Sequence, residues 1–239
     1  MSAMTSLSSL TVRVTTRSVA YSTVQYPLCR TIILQKDHAL NFENRIKKEM
    51  SEGIVKAILE DAHYRVIDSG IEKVLRELSC LPNLEYAQLA YPEAMSRLPD
   101  FTVMDRSQSR KFLVEVKYRN SWSVDLLHEV ARQVEIFGEL VLVCINATPD
   151  NPRQLVMAPT YLRCCRLRHS EGQTLVELMS PEKSLYWKAI DQVGSKTPWW
   201  ATLPLEMVFT DLAKDVGNRE ALHAAIRALS GILTLPETS

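Results

Sequence analysis

The chain predicts an α/β fold built on a mixed β-sheet flanked by helices, and three stretches carry that expectation. Residues 101–104 and 112–118 are short apolar, β-branched and aromatic runs on either side of Arg-Ser-Gln-Ser-Arg, the pattern of a strand, a turn and a strand. Beyond them, Ser123 can cap a helix running to about Phe137, with Val124, Leu127, Val130, Ala131 and Val134 as its apolar face. Gly138 ends it, and Glu-Leu-Val-Leu-Val-Cys-Ile over 139–145 reads as a strand buried on both faces. Strand, helix and strand at this spacing make a right-handed βαβ unit, so a parallel pair adjoins the antiparallel hairpin.

Length and composition bound the rest. The 239 residues suffice for one core of about 150 residues with additions, or for two small domains. The 28 basic and 28 acidic residues balance to a formal charge of zero, which counts against a protein that simply coats DNA, because such binding needs an excess of Lys and Arg. No apolar run approaches the ~18 residues of a spanning helix, so no membrane partner is expected. Five cysteines (Cys29, Cys80, Cys144, Cys164, Cys165) without a CxxC pair argue against a disulfide framework and a structural zinc, and fit a reducing cytoplasm.

The elements follow in order. Residues 1–36 are rich in Ser, Thr and Val and carry Arg13, Arg17, Arg30 and Lys36 with no acid, a composition that also suits a transit peptide. Leu10, Val12 and Val14 alternate with polar neighbours and Arg30 to Gln35 repeats a β-rich pattern, so an N-terminal β extension over 1–40 is favoured. From Phe42 to Ala62, Ile46, Met50, Ile54, Ala57, Ile58 and Ala62 recur at helical spacing. Val55 and Leu59 edge that apolar arc; Glu52 lies just past the edge, whereas Glu49 and Glu60 fall further toward water. Tyr64 to Ile67 reads as a strand and Gly70 to Leu78 as a second helix.

In the second hairpin strand Glu115 and Lys117 share one face, roughly 6 to 7 Å apart at the backbone. If the turn pairs Asp105 with Arg110, Asp100 falls opposite Glu115; if it pairs Asp105 with Phe112, Asp100 falls opposite Lys117. Either register puts Asp100 on their face. Two acids at close range repel unless a cation sits between them. A hard divalent ion suits carboxylate oxygens, and its usual work is to grip a phosphate and activate water. The plainer alternative is an exposed hairpin bearing a Glu–Lys pair.

Pro99-Asp100, fourteen residues, then Glu115-Val116-Lys117 resembles the PD-(D/E)XK nuclease superfamily, which includes restriction endonucleases and archaeal Holliday-junction resolvases. The resolvase-like members are similar in a second respect, a first helix carrying a metal-associated glutamate and ending in an aromatic residue before a strand. Glu52, twelve residues before Tyr64, matches that pattern. The resemblance implies a restriction-endonuclease-like fold and a Mg²⁺-dependent deoxyribonuclease, with Mn²⁺ as substitute. By it Asp100 and Glu115, with the carbonyl of Val116, bind the metal, Glu52 assists, and Lys117 positions the nucleophile. DNA is cut by in-line attack of water, leaving a 5′-phosphate and a 3′-hydroxyl. Some members have a glutamine assisting the site, which points to Gln133. The departure is the stretch of some thirty residues between the first strand and Asp100, read as an inserted helix with a loop around Pro82 and Pro92.

Toward the C-terminus, residues 154–158 and 173–179 read as strands, and Arg163, Arg166, Arg168 and His169 between them form a basic cluster. Phosphate contact and a solvated basic face are both open to it. Residues 41–180 are thus expected as the nuclease-like domain and 181–239 as a linker with a helical C-terminal appendage over Met207 to Leu233. Trp199 and Trp200 can stack on bases or staple the linker to a core. The expected partner is DNA, met alone, as a homodimer or within a larger nucleoprotein complex. A catalytically idle binding or assembly module with the same fold, or a nuclease subunit active only in a complex, are the alternatives.

Overall fold

The computed structural model describes residues 29–71, 91–119, 121–146, 161–214, 220 and 224–225, with side chains described from Arg45 onward. The chain divides into two units, Met1–Asn41 and Phe42–Ser239. Helix α1 spans Cys29–Asp61, so Arg30 to Gln35, expected as a strand, are helical. No Gly or Pro interrupts residues 29–52, and extending an existing helix by a few β-branched residues costs far less than nucleating a separate element. The remaining strands expected in the N-terminal extension, the bulk of the helix expected over Gly70 to Leu78 and the strand expected at 154–158 lie outside the described residues.

Among the described residues the second unit is built on a seven-stranded sheet whose strands lie in sequence order. They are β1 (Arg65–Asp68), β2 (Phe101–Met104), β3 (Lys111–Arg119), β4 (Glu139–Asn146), β5 (Leu162–Ser170), β6 (Gln173–Met179) and β7 (Leu185–Ala189). β3 and β4 are parallel and every other neighbouring pair is antiparallel. A short helix α2 (Glu93–Ser96) precedes β2, and α3 (Asp125–Phe137) makes the crossover between the parallel strands. The α/β class and the mixed sheet are therefore as the sequence predicts.

Helix α3 starts where the Ser123 hydroxyl accepts the Asp125 amide at 3.2 Å. It stops at Gly138, whose φ of 83° suits a residue without a Cβ and whose amide donates to the Val134 carbonyl at 2.8 Å. Both faces of the sheet are covered. On one, Val55, Ile58, Leu59 and Ala62 of α1 pack on Val103, Val114, Val116, Val141, Val143 and Ile145. On the other, Leu126, Leu127, Val130 and Val134 of α3 pack on Leu140, Leu142, Cys144, Cys165 and Leu167. β4 is buried on both sides, which is why its sequence is apolar without alternation. Cys144, Cys164 and Cys165 are free thiols in this interior, and burial pushes all three up from the ordinary cysteine range.

The basic run at 163–169, read as lying between strands, is itself β5. The region read as linker and appendage is drawn into the core. β7 continues the sheet, and Leu203 bridges Cys164 across an antiparallel pair. Leu205, Val208, Phe209 and Leu212, on the short helix α4 (Leu205–Val208) and the 3₁₀ turn Thr210–Ala213, fill the α1 face. Trp199 is the staple, its ring 5.7 Å from that of Trp122, whereas Trp200 is exposed. Among the described residues no helix is long and apolar enough to cross a membrane.

Candidate active site

Strands β2 and β3 pair Phe101 with Val114 and Met104 with Lys111, and the Asp105 amide donates to the Arg110 carbonyl at 3.1 Å. This is the first of the two registers, and one residue past Phe101 it sets Asp100 opposite Glu115. The turn is clamped by the Asp105 carboxylate, which accepts the Arg110 amide at 3.1 Å and the Ser109 and Ser107 hydroxyls at 3.0 Å each. Those donors, the Arg110 amide first, hold its carboxyl well below the usual carboxylate range. Alternation then decides the faces. Val114 and Val116 enter the core under α1, Leu113 packs under α3, and Glu115 and Lys117 emerge with Leu113 on the α3 side.

Each side chain is held from more than one direction. The Asp100 carbonyl accepts the Ser69 amide at 3.0 Å and the Gly70 amide at 3.3 Å, which ties the residue to the end of β1. Its carboxylate Oδ2 accepts the Val116 amide at 2.8 Å, just where β2 has ended and no strand partner remains on that side. Glu115 Oε1 accepts from Lys117 Nζ at 2.5 Å, and Oε2 accepts from Gln133 Nε2 at 2.9 Å. The same Gln133 nitrogen donates to the Arg97 carbonyl at 3.0 Å, so one buried amide on α3 pins both β3 and the segment leading into Asp100. That segment is braced again by Glu93, which accepts from Arg132 at 2.9 and 2.7 Å and from Arg97 at 3.0 Å. The Arg132 bond, then Arg97, lowers the Glu93 carboxyl to about 2.

Asp100, Glu115, Lys117 and Gln133 line one open cleft of about 250 Å³, together with Lys48 of α1, Arg97 and Glu129. Glu52 is buried on α1, its carboxylate 3.6 Å from the Lys48 ammonium, while Glu49 is exposed. Burial first, then the charges of Glu115 and Glu52, push Asp100 up to about 7. The Val116 amide and Lys48 only partly oppose that shift. A larger cavity of about 520 Å³ at the far end of the hairpin, against His63, Asp105 and Lys214, contains none of the predicted residues.

The basic cluster divides. Arg163 is buried, its guanidinium donating to the Thr202 carbonyl at 3.1 Å, the Thr202 hydroxyl at 3.0 Å and the Trp200 carbonyl at 2.9 Å. Its donors are spent inside the protein, so it is an internal strap and not a phosphate contact. Arg166 pairs with Glu177, and Arg168 lies 4.2 Å over the Trp187 ring. Both alternate with Leu167, which packs under α3, so they sit on the sheet face opposite Glu115 and do not join the cleft. Lys48, Arg97 and Glu129 are cleft residues that the sequence did not single out, and for Lys48 a local cue existed. Lys48 stands four residues before Glu52 on one helix face.

Comparison with protein-family models, with curated proteins and with solved structures finds no match for this chain. What the fold and the site define is a mixed α/β protein with an acid, acid, lysine and glutamine cluster at the mouth of its parallel βαβ unit. The donor set suits a hard dication in kind: carboxylate oxygens, one of them raised by burial and then by its acidic neighbours. Among the described residues no three His, Cys, Asp or Glu side chains form a ready metal-holding group, and both Glu115 oxygens are engaged by Lys117 and Gln133. Two protein carboxylates completed by waters is a common Mg²⁺ arrangement, so the residues present fit.

Proposed function

We propose that the protein is a metal-dependent endonuclease of the PD-(D/E)XK kind, hydrolysing DNA phosphodiester bonds to 5′-phosphate and 3′-hydroxyl ends. The observation that carries this reading is the meeting of Asp100, Glu115 and Lys117 in one cleft, where burial first and then the charges of Glu115 and Glu52 push Asp100 up to about 7. Such a cluster is unfavourable for folding alone, which is the mark of a site kept for its chemistry. The cleft volume of about 250 Å³ lies below the ~300–1,000 Å³ of pockets that engulf a small molecule, and suits a stretch of backbone laid across it.

Asp100 and Glu115, with the Val116 carbonyl and Glu52, are the residues that would hold Mg²⁺, or Mn²⁺ in its place. The ion supplies charge neutralisation at the phosphate and a lowered pKa for attacking water. The chain's own groups do the remainder. Lys117 Nζ, held at Glu115, donates to the oxygens on which charge grows as water attacks phosphorus and the P–O3′ bond breaks, the leaving oxygen taking up a proton. Gln133 keeps Glu115 from turning away by donating to Oε2. Cleavage of a panel of duplex, nicked, branched and single-stranded DNA with and without Mg²⁺ tests the reading. Magnesium-dependent products ending in 5′-phosphate support it, and a panel left intact by the wild-type protein removes it.

One observation favours a second reading, a catalytically idle nucleic-acid-binding or assembly module: both Glu115 oxygens are already satisfied within the protein. Calorimetric titration separates the two, because a closed Glu115 binds no Mg²⁺.

A further inference from the structure

The nuclease-like motif accounts for one lysine of the cleft, and the structure sets a second beside it. We propose that Lys48 is a substrate-binding residue that grips a backbone phosphate of the strand being cut, so that the nucleic acid runs along α1 across the cleft mouth. This rests on the nuclease reading and adds the path of the substrate to it.

Two observations converge. Lys48 lines the same cleft as Asp100, Glu115 and Lys117, and its side chain is 54% exposed while that of its partner Glu52 is 7% exposed. Its ammonium therefore stands between a buried acid and solvent, at 3.6 Å from Glu52, on a stem long enough to swing to a phosphate.

The surroundings suit a polyanion in register with α1. Arg45 is exposed one turn before Lys48, and Lys47 lies 5.7 Å over the ring of Tyr118, the residue after Lys117. One turn of α1 thus carries Arg45, Lys47 and Lys48, the last two next to the end of β3. A phosphodiester entering the cleft meets Asp100 and Glu115, with the buried Glu52 behind Lys48, and a cation at the mouth offsets their repulsion before the phosphate reaches the acids. A lysine serves here as a point charge that tolerates any base sequence, so the contact adds affinity without adding specificity.

The test uses the full chain with Lys117→Ala in place, so that DNA is bound and not cut. Anisotropy with a labelled duplex from 50 to 200 mM salt in Mg²⁺ is measured with and without Lys48→Gln. The expected result is an affinity loss of about five- to tenfold at the low-salt end and a salt slope shallower by about 0.9, the value for one duplex phosphate. Lys48→Arg should restore both, and any drop in thermal midpoint from losing the Glu52 partner should be too small to unfold the protein at the assay temperature. In the Lys117 protein, Lys48→Gln should raise KM with kcat kept within about twofold. An unchanged slope and affinity overturns the proposal, as does a loss that Lys48→Arg does not rescue or that follows the thermal midpoint, since that marks a structural partner of Glu52. Wild-type cleavage with Lys48-independent binding removes this proposal alone. Lys48-dependent binding without wild-type cleavage removes the nuclease reading and leaves the binding residue standing.

Discussion

Asp100→Asn should make the metal-free protein more stable at pH 8 while abolishing its cleavage. In the folded state burial and the charges of Glu115 and Glu52 push the Asp100 carboxyl up to about 7, against an ordinary value of 3.8. Between those two values the native state holds a proton that the unfolded chain has given up, so stability is full below about pH 4 and falls as pH rises toward 7. About three pH units at ~1.36 kcal/mol each set a ceiling of about 4 kcal/mol. The residue opens on a solvated cleft, and screening there leaves about 1–3 kcal/mol. Asn keeps an oxygen for the Val116 amide and carries no charge, so it removes this penalty and little else. Urea unfolding in EDTA at pH 4 and pH 8 reads the effect directly. The variant should gain about 1–3 kcal/mol at pH 8, or roughly 2–10 °C in melting temperature, and nothing at pH 4. Mg²⁺ should then stabilise the wild type and leave the variant unmoved. A variant less stable at pH 8, or a difference that ignores pH, would refute the electrostatic account of the site.

Three further outcomes are expected. Lys117→Ala should lose cleavage by a hundredfold or more and keep its Mg²⁺ affinity, because a cation cannot ligate a cation; Asp100→Ala and Glu115→Ala should lose both, as followed by calorimetry beside a cleavage assay. Gln133→Leu removes the donor to Glu115 and leaves the Arg97 carbonyl without it, so unfolding should cost about 1–3 kcal/mol less and metal should bind more weakly; unchanged metal affinity would mean that Glu115 needs no such support. Arg163→Ala should destabilise by about 2–3 kcal/mol through the stranded Thr202 and Trp200 carbonyls yet leave DNA affinity within twofold, and a selective loss of binding would show that the guanidinium reaches the nucleic acid after all.

The hairpin was legible because its side chains repeat every two residues, so both admissible registers carry Asp100 to the face of Glu115 and Lys117. Glu52 was legible for the same kind of reason, since 100° steps around α1 set it at the apolar border and Glu49 beyond it. Arg163 was not. Its acceptors on Trp200 and Thr202 lie 37 and 39 residues away, and nothing local distinguishes an arginine that plugs a fold from one that faces solvent. The same basic residues concealed β5, whose Arg163, Arg166 and Arg168 break the apolar pattern of an interior strand. Leu203 to Leu212 were misread as peripheral because their partners are the strands far upstream, and apolar spacing in a short helical turn does not say what it packs against.

The three interior thiols give the molecule a chemical clock. Only a thiolate reacts with an alkylating reagent, and Cys144, Cys164 and Cys165 are 2% exposed or less and held protonated in the middle of the sheet. Each can be labelled only when β4 and β5 part, an event whose frequency follows the opening free energy of the centre of the fold. β4 is also the strand hydrogen-bonded in parallel to the one that carries Glu115 and Lys117. Anything bound at the cleft therefore slows the reagent by a factor of 1 + [L]/Kd wherever that opening releases it. Peptide mapping of alkylation at these cysteines thus weighs metal and nucleic acid on the folded protein without a single bond having to be cut.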